Sequence, residues 1–527
     1  MSDAPCGARR DRADSRRLHL LLALALVAGS APAQRPAVAK ADEYTFTRDG
    51  VLGTSMRLVV AARTASEAQK LEADVVGEIE RVGRLVSTWQ ADGELAQAIA
   101  AQAPVVVSQE LAELIAACDG WRERTQGAFE PGVGALAALW SAAAISKRAP
   151  TAAELAAAAA ALREPPWHLD AATRTLTVRK GAQPSVDALA KGFVIERASA
   201  LRRGRYARVL VLEIGGDLRV RGGIDRAIGI ADPRQPADNA TPLALVHVAD
   251  AAVASSGGYA RGFDVAGVHH SHILDPRSGM PCDEVLGATA IAGDATSADA
   301  LATILCVLGP AAGIAFVDGI EGAAGLVVTR DGAIHASARW ERALSPATPK
   351  LDAEPGGEPG PATGPREASP WPPGFACVVQ LELRDPNAGG SGSRRGGYRR
   401  PYVAVWIERP DGGAVRTLAL WIERTRWLPD LRRWYRLHRG RDEWIAATSR
   451  ATRKPGSYEL TWDGLDDDGH AVAPGEYVVM IEVTREHGTY QVMRQRITIG
   501  TAPFSHALEG NEEIAGATVR FGAGQTP

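Results

Sequence analysis

Between Ser345 and Gly374 the chain is built largely of Pro, Gly, Glu and Ala, and it closes on Pro370, Pro372 and Pro373. Such a stretch carries too little apolar surface to offset the entropy of ordering it, so it reads as a linker. The remainder must therefore fold as two bodies, one before it and one after. The length of 527 residues agrees with more than one domain. Hydrophobic residues make up 46% and charged residues 23%, ordinary values for globular protein. The formal net charge of -3 gives no reason to expect nucleic acid or an anionic surface as partner.

Residues 1–33 read as an export signal. Arg9, Arg10, Arg12, Arg16 and Arg17 precede an apolar run from Leu18 to Ala28, and Ala31-Pro32-Ala33 follows as a cleavage signature. Ser15-Arg16-Arg17 leaves both general and twin-arginine export open. No Cys stands at the cleavage site, which argues against a lipid anchor. Cys118, Cys282, Cys306 and Cys377 fit no zinc or CxxC spacing. Cys306 lies in an apolar run and reads as buried, and an oxidising compartment permits a disulfide among the others.

Before the linker, strand-like and helix-like stretches alternate. Met56–Ala61, Arg208–Ile214, Arg226–Ile230 and Leu243–Val248 read as strands. Ala65–Leu85, Leu111–Arg124, Glu154–Arg163 and Ser297–Leu308 read as helices, the third opened by a Thr151/Glu154 capping box. After the linker, Phe375–Leu383, Tyr402–Glu408, Thr417–Ile422, Ser457–Trp462 and Tyr477–Glu486 are β-rich runs separated by turn residues, the pattern of an antiparallel sandwich. Residues 501–527 show no such pattern and read as a tail.

Several short segments carry chemistry-bearing residues. Gly215-Gly216-Asp217 ends a strand, either as a tight turn or as a place where backbone approaches a ligand. Ser255-Ser256-Gly257-Gly258 is equally a loop or a donor of N–H groups to phosphate. The segment from Ser271 to Gly279 gathers His272, Asp275 and Arg277 within one turn, which a plain surface turn rarely needs. Asp299 and Thr303, four apart on a helix, share a face and offer two hard oxygens suited to Mg²⁺. Taken alone, that pair reads better as an exposed helix acid and a tolerated core threonine. No GxGxxG or GxxxxGK[ST] stands between strand and helix.

In order, these pieces resemble the ApbE family of FAD:protein FMN transferases. The resemblance rests on Leu52-Gly53-Thr54; on Ser87-Thr88-Trp89 with Gly93-Glu94-Leu95; on Phe129 to Leu136 with Leu139-Trp140; and on Ser185 to Phe193. It continues through Gly215-Gly216-Asp217, Ser255 to Arg261, Ser271 to Gly279 and Ala298 to Thr303. It covers residues 44–343. It implies an α+β fold with the FAD site in a cleft, and a reaction in which FMN passes from FAD to a Thr or Ser hydroxyl of a target protein while AMP leaves. It implies Mg²⁺ held by Asp299, Thr303 and backbone carbonyls near Ala188 and Ala302, with His272 as the base. Leu52, Phe129, Glu130, Ser185, Lys191 and Leu274 stand where the family contacts FAD, and Arg277 is expected to steady a phosphate. Three positions depart from the family pattern: Leu52 replaces Met, Glu130 replaces Asp, and Ser185 stands where Asp is usual, so that either Asp187 supplies that charge or the contact is lost. The implied partner is an exported redox protein with a Thr/Ser flavinylation motif, in the periplasm, with any inner-membrane association made through partners. The alternatives are an FAD pyrophosphatase or flavin-binding protein without an acceptor, and a non-catalytic scaffold.

The second body, residues 374–500, is similar in its Thr461-to-Tyr477 segment to immunoglobulin-like repeats and to an uncharacterised periplasmic domain found beside flavin-transfer proteins. Asp466, Asp467 and Asp468 read as a solvated turn rather than a Ca²⁺ site. Trp421, Trp427, Trp434 and Trp444, interleaved with arginines, suggest Trp–Arg stacking or a docking face better than a nucleic-acid surface.

Overall fold

The computed structural model describes residues 41–101, 103–204, 206–234, 242–258, 261–344, 371–372, 375–384, 400–422, 425–441, 445, 448–450, 452–485 and 489–523. The expected export signal and most of the expected linker lie outside them. Among the described residues the first body is organised on a nine-stranded antiparallel sheet. Its order runs Asp42–Val51, Thr54–Ala62, Ala207–Ile214, Asp217–Val220, Ala252–Gly257, Val285–Ala292, Ala324–Thr329 and Ile334–Ala336, with Arg202–Arg203 paired beside Ala207–Ile214. Both faces of this sheet are covered. Leu58, Val60, Leu212 and Ala290 point to one core, while Val59, Ala61, Val211 and Ile291 point to another. That is why its strands read as unbroken apolar runs rather than alternating ones.

Three helices lie on the first face: Ala65–Val86, Asp187–Ser199 and Ala295–Asp318. The first repeats a buried residue every three to four positions, Ala68, Leu71, Val75, Ile79 and Val82, and is opened by Thr64, whose side chain accepts from the Glu67 N–H. Ala295–Asp318 is capped by Asp294 and broken at Gly309-Pro310, where Gly309 takes a positive φ of 74°. By length and composition it is apolar enough to cross a membrane. Here it packs on the sheet, with Leu301, Ile304 and Leu305 fully buried. The capping box at Thr151/Glu154 is present.

The second body is a sandwich of two four-stranded sheets. One has the order Gly456–Trp462, Phe375–Leu383, Ile514–Ala523, Phe504–Glu509; the other has Ala414–Trp421, Tyr402–Glu408, Gly475–Thr484, Tyr490–Ile499. The tail expected after Gly500 is thus two strands. Ile514–Ala523 lies between two partners and sends Ile514, Val519 and Phe521 into the core. Its alternation is diluted by Gly516, Ala517 and Gly522, small residues that hide the period of two. The residue before the linker and one near its end are also part of the folded bodies. Leu344 bridges Val246, and Trp371 is buried against Trp462 and Phe521.

Trp421 and Trp434 are buried, not displayed. Trp434 belongs to a layer with Leu428, Leu431 and Ile445 that covers the outer face of the second sheet. Asp466 and Asp467 accept hydrogen bonds from neighbouring backbone N–H groups, and Asp468 pairs with Arg441 at 3.1 Å. Cys118, Cys282, Cys306 and Cys377 are all free thiols.

Candidate functional site

The site is set by how closely two helices cross. Gly192, on Asp187–Ser199, lies against the first turns of Ala295–Asp318. A methyl group there would fall 2.2 Å from the Ala295 carbonyl oxygen and 2.7 Å from Asp299 Cβ. Glycine alone permits the approach. Its N–H donates to Asp299 Oδ2 at 2.8 Å. In a regular helix that N–H would serve the Ala188 carbonyl four residues back. Asp299 is buried, and burial above all, then the neighbouring Asp217, holds its pKa well above the usual carboxylate range. Its sequence-level alternative as an exposed helix acid therefore falls. One turn further on, Thr303 Oγ1 lies 3.2 Å from Ser256 Oγ on the strand Ala252–Gly257, so the Ser-Ser-Gly-Gly segment joins the same place.

Asp217, read from the sequence as part of the Gly215-Gly216-Asp217 segment and given no role of its own, belongs to this place. Its side chain is 2% exposed and pairs with Lys191 at 2.7 Å, and it accepts from the Ser255 N–H at 3.1 Å. Burial works against the Lys191 ammonium, but Asp217 and Asp299 together outweigh it and hold its pKa above the ordinary lysine value. Burial raises Asp217 as well. Two buried carboxylates thus share one ammonium. The signal that would have found Asp217 is its position directly after Gly215-Gly216, whose positive φ angles of 57° and 91° turn the chain back.

Asp187, exposed at the start of its helix, acts electrostatically on both His272 and Asp299. Crowding by surrounding atoms lowers the His272 pKa, although part of the ring meets solvent. Its Nδ1 lies 3.1 Å from the Arg261 carbonyl oxygen. A carbonyl only accepts, so Nδ1 carries the proton and Nε2 keeps its lone pair. Ser185 Oγ accepts from the Asp187 N–H at 3.3 Å, and its own N–H donates to Pro131.

Glu130 and Arg277 line a cleft of about 730 Å³, bounded also by Arg122, Leu155, Arg163 and Ser278. Glu130 is buried with both oxygens engaged: Oε2 by Arg122 at 2.5 Å and Oε1 by the Gly132 N–H at 2.8 Å. It fixes the wall of the cleft. Phe129 and Leu274 are core residues. Arg277 is turned onto its neighbour Asp275, with Nε at 2.9 Å and Nη2 at 3.0 Å, at the rim of the cleft. Leu52 sits at a hairpin tip with φ 48°, 43% exposed, its Cδ2 over Gly83. Ala188 lies in the first turn of its helix, and Ala302 is buried beside Thr303.

The first body is thus an α+β domain whose buried helix crossing gathers Asp299, Asp217 and Lys191. Residues 52–327 match the model of the ApbE family, and the chain belongs to that family. Residues 392–516 match a second model, described as a predicted periplasmic protein (DUF2271). The FAD:protein FMN transferase of Treponema pallidum (strain Nichols) is 29% identical over 310 residues, spanning 55% of this chain and 85% of that protein. The FAD:protein FMN transferase of Klebsiella pneumoniae (strain 342) is 28% identical over 309 residues, 58% of this chain and 96% of that protein. The crystal structure of the ApbE protein from Thermotoga maritima superposes with a TM-score of 0.50 at 28% identity, covering 58% of this chain and 100% of that one.

Proposed function

We propose that this chain is a Mg²⁺-dependent transferase that moves FMN from FAD onto a Thr or Ser hydroxyl of an exported target protein, releasing AMP. The observation that carries the reading is Asp299: a carboxylate buried beside a second one, Asp217, where both burial and that neighbour oppose its charge. A divalent cation relieves both. Asp299, Thr303 and the backbone carbonyls of Ala188 and Ala302 would hold it. The set fits: every donor is a hard oxygen, and the Gly192 N–H is turned toward Asp299. Among the described residues no cluster of three His, Cys, Asp or Glu side chains suits a metal. That agrees with Mg²⁺, which commonly takes one or two carboxylates and completes its shell with substrate phosphate and water. When bound, the ion would offset the charge that builds on the pyrophosphate as it divides.

The chain's own residues supply the rest. Lys191, kept charged by Asp217, brings a fixed positive charge to the phosphates. His272 Nε2 accepts the proton of the acceptor hydroxyl. The acceptor oxygen bonds to the FMN phosphorus, the bond from that phosphorus to the AMP phosphate oxygen breaks, and AMP leaves with the electron pair. Leu52, Leu274, Arg277 and the Ser185/Asp187 turn orient FAD, with Phe129 and Glu130 holding the cleft in shape. Ser185 and Asp187 act as one hydrogen-bonded unit. We assign transfer to residues 44–343 and place the whole in the periplasm. The arginine-then-apolar start and the description of the family matching residues 392–516 support that location.

AMP release from FAD and Mg²⁺, followed with and without an acceptor domain bearing a Thr motif, tests the reading. AMP appearing in step with flavinylated acceptor supports transfer. AMP and free FMN formed equally well without acceptor would overturn it in favour of hydrolysis.

A further inference from the structure

The three elements that carry Lys191, Asp217 and Asp299 are tied a second time, away from the site, by one side chain. Glu196 stands five residues after Lys191 on the same helix. Its Oε2 accepts from the Ala295 N–H at 2.8 Å, at the start of the helix that bears Asp299. The same oxygen lies 3.2 Å from Arg219 Nε, two residues after Asp217 on the same strand. Its Oε1 accepts from Arg221 Nη2 at 2.6 Å. Arg221 also reaches the Glu196 carbonyl at 3.1 Å and Ser199 Oγ at 2.9 Å, so the carboxylate is fixed from both sides.

We propose that Glu196 is a positioning residue for the cation and phosphate site: by joining these three elements it sets the helix crossing at which Gly192 meets Asp299. This rests on the flavin-transfer reading given above, but it concerns how the site is assembled rather than what it does. Glu196 itself touches neither Lys191 nor Asp299. Its effect is transmitted through two rigid helices and a strand. With the Ala295 end released, the first turns of the helix are free to shift by fractions of an ångström, and Asp299 and Thr303 shift with them. A carboxylate that caps a helix N-terminus also complements the positive end of that helix. Outer residues that orient metal ligands typically govern metal affinity by 10- to 100-fold.

The test uses the full chain with Glu196→Gln, which keeps the size but removes the charge, and Glu196→Asp, which keeps the charge but withdraws it by one methylene. Mg²⁺ binding is read by calorimetry and by the Mg²⁺-dependent rise in thermal midpoint, and transfer is read against Mg²⁺ concentration. Glu196→Gln is expected to weaken Mg²⁺ binding about tenfold or more, while turnover at saturating Mg²⁺ stays within about twofold of wild type. Glu196→Asp, the variant to rely on should the glutamine form not fold, is expected to lose about threefold or more. Ile79→Val, a core change in the neighbouring helix Ala65–Val86, should lower the thermal midpoint and leave Mg²⁺ affinity unchanged. Thermal loss in the Glu196 variants with unaltered Mg²⁺ affinity would overturn the proposal and leave Glu196 a structural residue. Failure of the wild-type chain to bind Mg²⁺ or FAD would instead overturn the parent reading.

Discussion

Replacing Gly192 by alanine sets two opposed effects against each other. In an ordinary helix interior the change stabilises by about 0.5–1 kcal/mol, because glycine loses more backbone entropy on folding. Here the new methyl group would sit 2.2 Å from the Ala295 carbonyl oxygen and 2.7 Å from Asp299 Cβ. Ordinary contact begins near 3.4 Å, so the two helices must part by about 1 Å. Overpacking of this kind costs about 1–3 kcal/mol. The same movement stretches the Gly192 N–H to Asp299 bond, 2.8 Å in the structure, beyond hydrogen-bonding range. A hydrogen bond to a charged group adds about 1.5–3 kcal/mol. The clash wins, with a net loss of about 2–5 kcal/mol. At about 2–4 °C per kcal/mol for a domain of this size, the thermal midpoint falls by roughly 5–15 °C. Differential scanning calorimetry with and without Mg²⁺ measures both effects, and the Mg²⁺-dependent rise in midpoint should shrink or vanish in the variant. A midpoint equal to or above wild type, with the Mg²⁺ response intact, would refute the close crossing and the site built on it.

Three further outcomes follow from the same geometry. The fold lowers the His272 pKa, and only the neutral ring accepts a proton. Transfer should therefore hold as pH falls to about 6.5, the ordinary imidazole value, and decline only below it. A pH–rate profile at saturating FAD checks this, and an acid limb above pH 7 would contradict it. Lys191→Met leaves Asp217 buried without its ammonium and should cost about 3–5 kcal/mol. Adding Asp217→Asn should restore most of that stability in urea denaturation while transfer stays lost. Ending the chain at Gly500 removes Ile514, Val519 and Phe521 from the sandwich core. At about 1.5–3 kcal/mol each, that rivals the whole stability of a domain, so limited proteolysis should degrade the sandwich while sparing residues 44–343.

Much of the fold was legible because its signals are local. The Thr151/Glu154 box opens its helix as read, and Phe375–Leu383 and Tyr402–Glu408 have the bounds that their β-rich runs between turn residues gave. The last strands were hidden, because Gly516, Ala517 and Gly522 blur the pattern and only pairing with Phe375–Leu383 makes a strand of them. Of the two readings of the tryptophans, stacking is seen where Arg453 lies 5.6 Å over the Trp421 ring, while Trp434 is buried and so is no display surface. At the site, the four-residue spacing of Asp299 and Thr303 was visible. The contact of Asp299 with Gly192, the ion pair of Asp217 with Lys191 and the tie made by Glu196 join residues between 23 and 107 positions apart, and nothing local announces such contacts. Glu130 and Arg277 were expected from the family resemblance as FAD-contacting residues, but their engagement by Arg122 and Asp275 depends on side-chain direction.

Intact-mass spectrometry of an acceptor domain carrying a Thr motif, after incubation with the mature chain, FAD and Mg²⁺, tests the central claim most directly. The account predicts a gain of one FMN group that is absent with EDTA and absent with Asp299→Ala. An acceptor of unchanged mass beside a folded wild-type chain, or a gain that persists in Asp299→Ala, would contradict it.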